Sequence, residues 1–267
     1  MMDMNTKNSA LSVTVLGSGT CVPSLSRSSC ALRIQSSGAN LLLDLGPGTM
    51  HRLLEAGTSI HDVDVVCFSH FHPDHSAELV PFLFANKYPD ISRRTRMLSL
   101  VGGKGFSSFF RGLQEIYGHW ITLGSDRMVL REMKTWEADR IRIGPFMIRT
   151  CPVQHNEESI AYRIEDEHRN TVVYSGDTDV SEDLVELARE VDLLVCESAM
   201  PDDWKVPGHL TPSRAGEIAR RAGVGKLVLT HFYPECDTVD IESECRKTWD
   251  GPLILAEDLL SIEIGEE

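Results

Sequence analysis

Six consecutive residues, His70-Phe71-His72-Pro73-Asp74-His75, constrain this chain more than any other feature. Four of them carry metal-type donors. Imidazole suits zinc and similar transition metals, and carboxylate adds a harder ligand. They follow VDVVCFS (63–69), a continuous apolar run of the kind found in strands covered on both faces. His70 and His72 are two apart, so on an extended segment they point to one side. Pro73 ends the strand, Asp74 stands at the next helix start and His75 begins its turn. A fold that accepts this segment must bring a strand end, a sharp turn and a helix start to one edge, and must gather further donors there.

Further donors stand where such an edge needs them. His155 follows FMIRTCPV, Asp177 follows TVVYSG and His231 follows KLVLT. Each lies at the carboxyl end of a predicted strand, the place where α/β sheets bind ligands. His51, His61, His119 and His168 lack that setting and read as surface or packing residues. Predicted strands cover 11–16, 30–35, 40–44, 63–69, 97–101, 141–150, 160–164, 171–175, 191–196, 226–230 and 252–264. Predicted helices cover 48–56, 75–86, 103–117, 181–189, 212–222 and 239–248. Ser181 is a good helix N-cap, Thr211-Pro212 puts proline at a first helical position, and Gly223 suits a helix stop. Strands occur in runs as well as in alternation with helices, so the class is α/β with two packed sheets flanked by helices.

Composition narrows the class of partner. The chain has 267 residues and a formal net charge of −14, which argues against coating nucleic acid by bulk charge. The charge is uneven: residues 91–150 hold eleven Lys/Arg and five Asp/Glu, which leaves the remainder at −20. Arg93, Arg94, Arg96, Lys104 and Arg111 crowd the start of that region. They make either a solvated face or a landing site for a phosphate-bearing substrate. Gly102-Gly103-Lys104-Gly105 with Phe106, Phe109, Phe110 and Trp120 makes either a lid or a helix packed through its Phe face. No apolar run reaches the length of a membrane helix, the start MMDMNTKNSA is not a signal peptide, and the seven scattered Cys form no C-x-x-C pair. A reducing, cytoplasmic setting is expected, with no membrane partner. Residues 1–10 read as a flexible N-terminus. Residues 11–267 read as a single domain, with a possible basic cap segment at 91–140.

The motifs, taken in order, resemble the metallo-β-lactamase superfamily and within it the ribonuclease Z-like branch. The segments that carry the resemblance are LGSGTCVPS (16–24), LLLDLGPGT (41–49), FSHFHPDHSAEL (68–79), YSGDT (174–178), CES (196–198), GHLTPSRAGEIA (208–219) and LTHFYP (229–234). They span nearly the whole chain. The resemblance implies a four-layer αββα sandwich with a dinuclear metal centre on one edge. It implies His70, His72 and His155 on a first metal, Asp74, His75 and His231 on a second, and Asp177 bridging both. Two divalent ions are expected, zinc by default, with manganese or iron also fitting such N/O donors.

Such a pair of metals lowers the pKa of a bridging water and makes hydroxide available. Five His and two Asp bring only two negative charges against two divalent cations, so the site should be positive and favour an anionic phosphodiester. Asp74, His209 and Glu197 are the expected catalytic residues. His209, in the GHLT segment, is the candidate general acid or transition-state stabiliser, and the branch implies an orienting acid that matches Glu197. Asp44 and Gly46-Pro47-Gly48-Thr49 read as a turn supporting the site. Gly17-Ser18-Gly19-Thr20 lacks a full phosphate-loop pattern and reads as a tight loop beneath the edge.

Transfer-RNA-processing members of the branch carry a protruding arm that grips the tRNA body, and in the bacterial short form it lies between the third ligand His and the Gly-Asp-Thr segment. Here the stretch from His155 to Asp177 holds one strand pair and a turn. The leading expectation is therefore a phosphodiesterase acting on a small or nucleotide-like anionic substrate. The alternatives are a tRNA 3′-processing endoribonuclease, a hydrolase of a lactone, thioester or sulfate ester, and a non-hydrolytic metal-binding or redox protein. A homodimer is expected by analogy alone.

Overall fold

Successive side chains of a strand point to opposite faces. In the run that leads into the histidine segment, Val65 and Cys67 enter one buried cluster while Val66 and Phe68 enter another. Leu41 and Leu43 against Leu42 repeat the pattern one strand away. The sheet carrying them is thus covered on both faces, which explains its unbroken apolar runs.

The structure, a computed structural model, describes residues 10–89 and 94–265. The expected flexible start at 1–10 lies outside these residues except for Ala10. The first half of the chain runs β1 (Leu11–Gly17), β2 (Ala31–Ser36), β3 (Ala39–Leu43), α1 (Thr49–Glu55), β4 (Val63–Cys67), α2 (Pro73–Ser76), α3 (Leu79–Lys87), β5 (Leu98–Gly102), α4 (Phe106–Tyr117) and β6 (Met128–Glu132). The second half runs β7 (Asp139–Ile143), β8 (Phe146–Pro152), β9 (Ile160–Glu165), β10 (Thr171–Tyr174), α5 (Glu182–Leu187), β11 (Leu193–Glu197), α6 (Pro212–Ala222), β12 (Leu227–Thr230), α7 (Ile241–Arg246), β13 (Leu253–Leu255) and β14 (Ser261–Ile264).

Two seven-stranded sheets result, in the orders β14-β1-β2-β3-β4-β5-β6 and β13-β12-β11-β10-β9-β8-β7. Each is antiparallel in one half and parallel in the other. In the first sheet β3, β4, β5 and β6 run parallel, and in the second β10, β11, β12 and β13 do. The larger apolar cluster joins residues of both sheets, and the smaller one lies between the first sheet and α1, α3 and α4. Helices α5 and α6 contact the second sheet. This is the αββα sandwich of the metallo-β-lactamase fold.

Several local expectations change. The run 141–150 is a hairpin, β7 and β8, because Gly144 takes φ 55 and Pro145 cannot donate to the ladder. The run 252–264 divides between the two sheets as β13 and β14. The helix expected over 75–86 is two helices, α2 and α3. Strand β6, MVLRE, carries no strand pattern in sequence because only Met128 of its residues is buried. Ser181 does cap α5, accepting from Leu184 N at 3.3 Å, and Gly223 ends α6 at φ 67.

The basic stretch contains β5 and β6, so the part outside the sheets reduces to α4 and its flanking turns. Arg93 lies outside the described residues. Arg94 is buried and donates to the carbonyls of Ile60 and Val63, which takes it out of any landing site, while Arg96 stays half-exposed and pairs with Asp64 at 2.6 Å. Phe106 and Phe110 are buried under α4. Phe71 stacks on Phe109 at 4.9 Å, which braces the histidine segment. Among the described residues, no helix is long and apolar enough to cross a membrane.

Candidate metal centre

Parallel strands deliver their carboxyl ends to the same edge, and the candidate ligands follow those ends. His70 and His72 come just after β4, and Pro73 then starts α2, on which Asp74 and His75 sit one after the other. Asp177 follows β10, Glu197 is the last residue of β11, and His231 follows β12. His155 comes after β8, from the antiparallel half of the second sheet. His209 precedes the Thr211-Pro212 start of α6. The sheets thus close on one cluster from both sides.

All nine residues singled out in the sequence meet there. His70, His72, His155 and Asp177 form one group with ligand atoms within 4.8 Å of one another, and Asp74, His75 and His231 form a second. Asp177 lies between them. Its Oδ2 faces His70 Nε2 at 3.6 Å and His155 Nε2 at 3.9 Å. Its Oδ1 faces His75 Nε2 at 3.3 Å and His231 Nε2 at 3.4 Å. Asp74 Oδ2 lies 3.7 Å from His231 Nε2 and 3.9 Å from His75 Nε2.

The outward nitrogens of three rings are tied down, which fixes what the inward ones present. Asp44 Oδ2 accepts from His75 Nδ1 at 2.7 Å and from Ser69 Oγ at 2.8 Å. Ser69 Oγ in turn meets His70 Nδ1 at 3.0 Å, and the Gly208 carbonyl accepts from His155 Nδ1 at 2.9 Å. These bonds hold a proton on each Nδ1, so the Nε2 of His70 and of His155 directs a lone pair into the cluster, as that of His75 does once its second proton is lost. His72 Nδ1 lies 3.3 Å from His155 Nε2, and His75 Nε2 lies 3.2 Å from His231 Nε2. His70 Nε2 and Asp177 Oδ1 are buried with no hydrogen-bond partner. Converging lone pairs and orphaned buried acceptors fit a pair of divalent cations, and an N/O donor set of this kind suits zinc, manganese or iron.

Electrostatics agree. Burial and the neighbouring His75 hold His70 well below the ordinary imidazole range, and burial lowers His155 as well, so both are ready as neutral ligands. Burial raises Asp177, but the facing His231 and His75 outweigh it and leave the carboxyl well below its usual range. Burial likewise opposes ionisation of Asp74, yet the facing His231, 3.7 Å away, brings it down to about 2. His75 is driven the other way. Burial disfavours its charge, but Asp177 and Asp44 on either side raise it well above the usual value. A cation held by the second group would have to displace a proton from His75.

His209 stands beside both groups. Its Nδ1 meets Glu197 Oε1 at 3.0 Å. Burial lowers its pKa, and the Glu197 contact more than compensates, bringing it up to about 8. Glu197 is wholly buried and its own pKa is raised by that burial. It is held by backbone donors: Thr178 N at 2.7 Å on Oε1, and Leu210 N at 3.1 Å and Ala199 N at 3.2 Å on Oε2.

Several supporting residues were not legible beforehand. Asp44, read as part of a turn, accepts four hydrogen bonds, including Ser69 N and the Tyr174 hydroxyl, each at 2.7 Å. Its signal was a lone acid ending NLLLD. Asp179 accepts from Gly208 N at 3.2 Å and Lys205 Nζ at 2.6 Å, which fixes the loop whose carbonyl holds His155. No sequence signal marked it. The Gly17–Thr20 loop does lie at this edge, where Phe232 N donates to Ser18 O at 2.9 Å beside His231.

Known proteins resemble this chain in sequence and fold. Residues 39–232 match the family described as "Beta-lactamase superfamily domain". The uncharacterized protein Rv1339 of Mycobacterium tuberculosis is 34% identical over 247 residues, covering 90% of this chain and 88% of its own. Ribonuclease Z of Archaeoglobus fulgidus is 25% identical over 307 residues, covering 94% of this chain and 97% of its own. Among solved structures, the metallo-beta-lactamase fold protein YhfI of Bacillus subtilis has a TM-score of 0.82 at 24% identity and covers 95% of this chain and 99% of its own. The short form of human tRNase Z has a TM-score of 0.78 at 23% identity and covers 96% of this chain and 100% of its own.

Proposed function

The chain belongs to the beta-lactamase superfamily, in its ribonuclease Z-like branch, and on that premise we propose that it is a dinuclear metal-dependent phosphodiesterase acting on a small or nucleotide-like substrate. The observation that carries this reading is the meeting of two donor groups on the two oxygens of Asp177, with the His209–Glu197 pair alongside. His70, His72 and His155 would hold one divalent ion, Asp74, His75 and His231 the other, and Asp177 both. When bound, the ions supply Lewis acidity toward phosphoryl oxygens and lower the pKa of water toward neutrality.

The chain's own residues do the rest. Asp44, through Ser69 and His75, and Gly208, through His155, hold the imidazoles in one tautomer and orientation. Glu197 holds His209 by Nδ1, which leaves Nε2 to carry the proton for the departing oxygen. With its pKa near 8, His209 is mostly protonated at neutral pH, as a general acid must be. Asp74, ionised down to about pH 2, adds charge beside the second group at every working pH.

Two findings support a small substrate. Between His155 and Asp177 the chain forms the β9–β10 pair and its turn, without an arm. The alignment with the archaeal ribonuclease Z runs over 307 residues, more than the 267 of this chain, so that enzyme carries segments with no counterpart here. The test is a panel on the metal-loaded protein: bis-p-nitrophenyl phosphate, a thioester, a lactone, an aryl sulfate and a pre-tRNA. The phosphodiester should be turned over. Turnover of another ester alone, or salt-sensitive cleavage of pre-tRNA with no action on the small diester, would replace this reading.

A further inference from the structure

Away from the metal centre, the outer face of the second sheet carries three arginines in one cross-strand row. Arg140 of β7 stands directly opposite Arg149 of β8, and Arg149 directly opposite Arg163 of β9. With strands about 4.8 Å apart, the row spans about 10 Å. Like charges directly opposite on a sheet are destabilising.

Few of these charges are paired directly, although Asp139, Asp183 and Glu186 line the same cleft. Among the described residues, the one carboxylate in ion-pair reach of the three is Glu165, 3.7 Å from Arg149. Arg140 makes no ion pair among the described residues. Arg163 Nη1 donates to the carbonyls of Leu187 and Arg189 at the end of α5, both at 3.0 Å, while its Nε is buried with no partner. A cleft of about 490 Å³ opens over the row, with the sheet as floor and Asp183, Glu186 and Leu187 of α5 along one side. The acids at this cleft are engaged elsewhere in part. Glu186 binds Arg189 at 2.5 Å, and Asp139 accepts from the backbone of Lys134 and Arg140.

We propose that this cleft is a second anion site, separate from the metal centre, for a compact polyphosphate of the di- or triphosphate kind. Planar guanidinium forks match phosphate oxygens in pairs, and a row of three needs more than one negative charge to balance it. The acids on α5 flank the cleft and disfavour a long polyanion lying across it. The position gives occupancy a consequence. Strand β8 leads to His155, and α5 begins shortly after Asp177, so an anion here joins two elements that adjoin ligands of the first metal group.

The test compares metal-loaded wild type with an Arg140→Gln/Arg149→Gln variant; Arg163, which caps α5, is left in place. Inorganic pyrophosphate is titrated calorimetrically at fixed salt, metal content is measured before and after, and turnover of bis-p-nitrophenyl phosphate is followed in parallel. Wild type should bind pyrophosphate at a site that does not compete with the substrate. The variant should bind it there at least tenfold more weakly, keep wild-type turnover without pyrophosphate, and melt no lower than wild type because the like-charge row is gone. Equal affinity in both proteins, binding that is wholly competitive with substrate, or a large drop in the variant's melting temperature would overturn the proposal. So would an RNA oligonucleotide bound through these arginines by a protein that ignores pyrophosphate.

Discussion

Glu197→Gln probes the proposed proton donor without touching a ligand. In the wild type the Glu197 contact brings His209 from the ordinary 6.5 to about 8 against burial, a bias of about 2 kcal/mol toward the imidazolium. Glutamine keeps the shape and removes the charge, so His209 should fall back toward or below its ordinary value. The alkaline limb of kcat/KM on bis-p-nitrophenyl phosphate then moves from near pH 8 to below pH 7, and activity at pH 8 drops about tenfold or more. Stability should follow with a definite sign. A raised imidazole pKa stabilises the fold fully below 6.5, and that contribution disappears as pH rises through about 8. The wild type should therefore lose stability across that window, and the variant should show a flatter slope. Glutamine also turns a donor toward backbone N–H groups that Glu197 accepts from, costing about 1–3 kcal/mol by denaturant unfolding. An alkaline limb that stays where it was, in a variant with full metal content, refutes the role given to Glu197.

Three further outcomes follow from the same geometry. His209→Ala should lower turnover about 10²- to 10⁴-fold while metal content by elemental analysis stays at the wild-type level; metal loss in parallel would make His209 a ligand instead. Asp44→Asn should weaken metal affinity about 10- to 100-fold in a competition titration, since Asp44 holds His75 directly and His70 through Ser69. Metal uptake should release protons and weaken as pH falls, because a cation must displace the proton that Asp177 and Asp44 favour on His75; pH-independent affinity between pH 5 and 8 would contradict that.

The site was more legible than the scaffold around it, for physical reasons. Metal chemistry needs few residue types at strand ends, so His70 to His75 and the donors at 155, 177 and 231 stood out from their neighbours. Asp44 did not, because an acid before Gly-Pro-Gly suits an ordinary turn equally well, and only the fold brings Ser69, His75 and Tyr174 around it. Asp179 acts through a backbone amide distant in sequence, which no local pattern encodes. The strands buried on both faces declared themselves as Val/Leu runs. Edge strand β6 did not, since a half-exposed strand holding Arg131 and Glu132 has no apolar period to read. Arg94 misleads in the opposite direction. Its charge suggests a surface, but its guanidinium caps carbonyls inside the fold.

Stepwise reconstitution tests the central reading most directly. Metal-free protein is titrated with zinc, and turnover of bis-p-nitrophenyl phosphate is measured at each equivalent. Two ions should bind per chain, with turnover rising to the second equivalent and none in the Asp177→Ala variant. Two ions bound with no turnover of any phosphodiester, or full turnover by the metal-free chain, would contradict that reading.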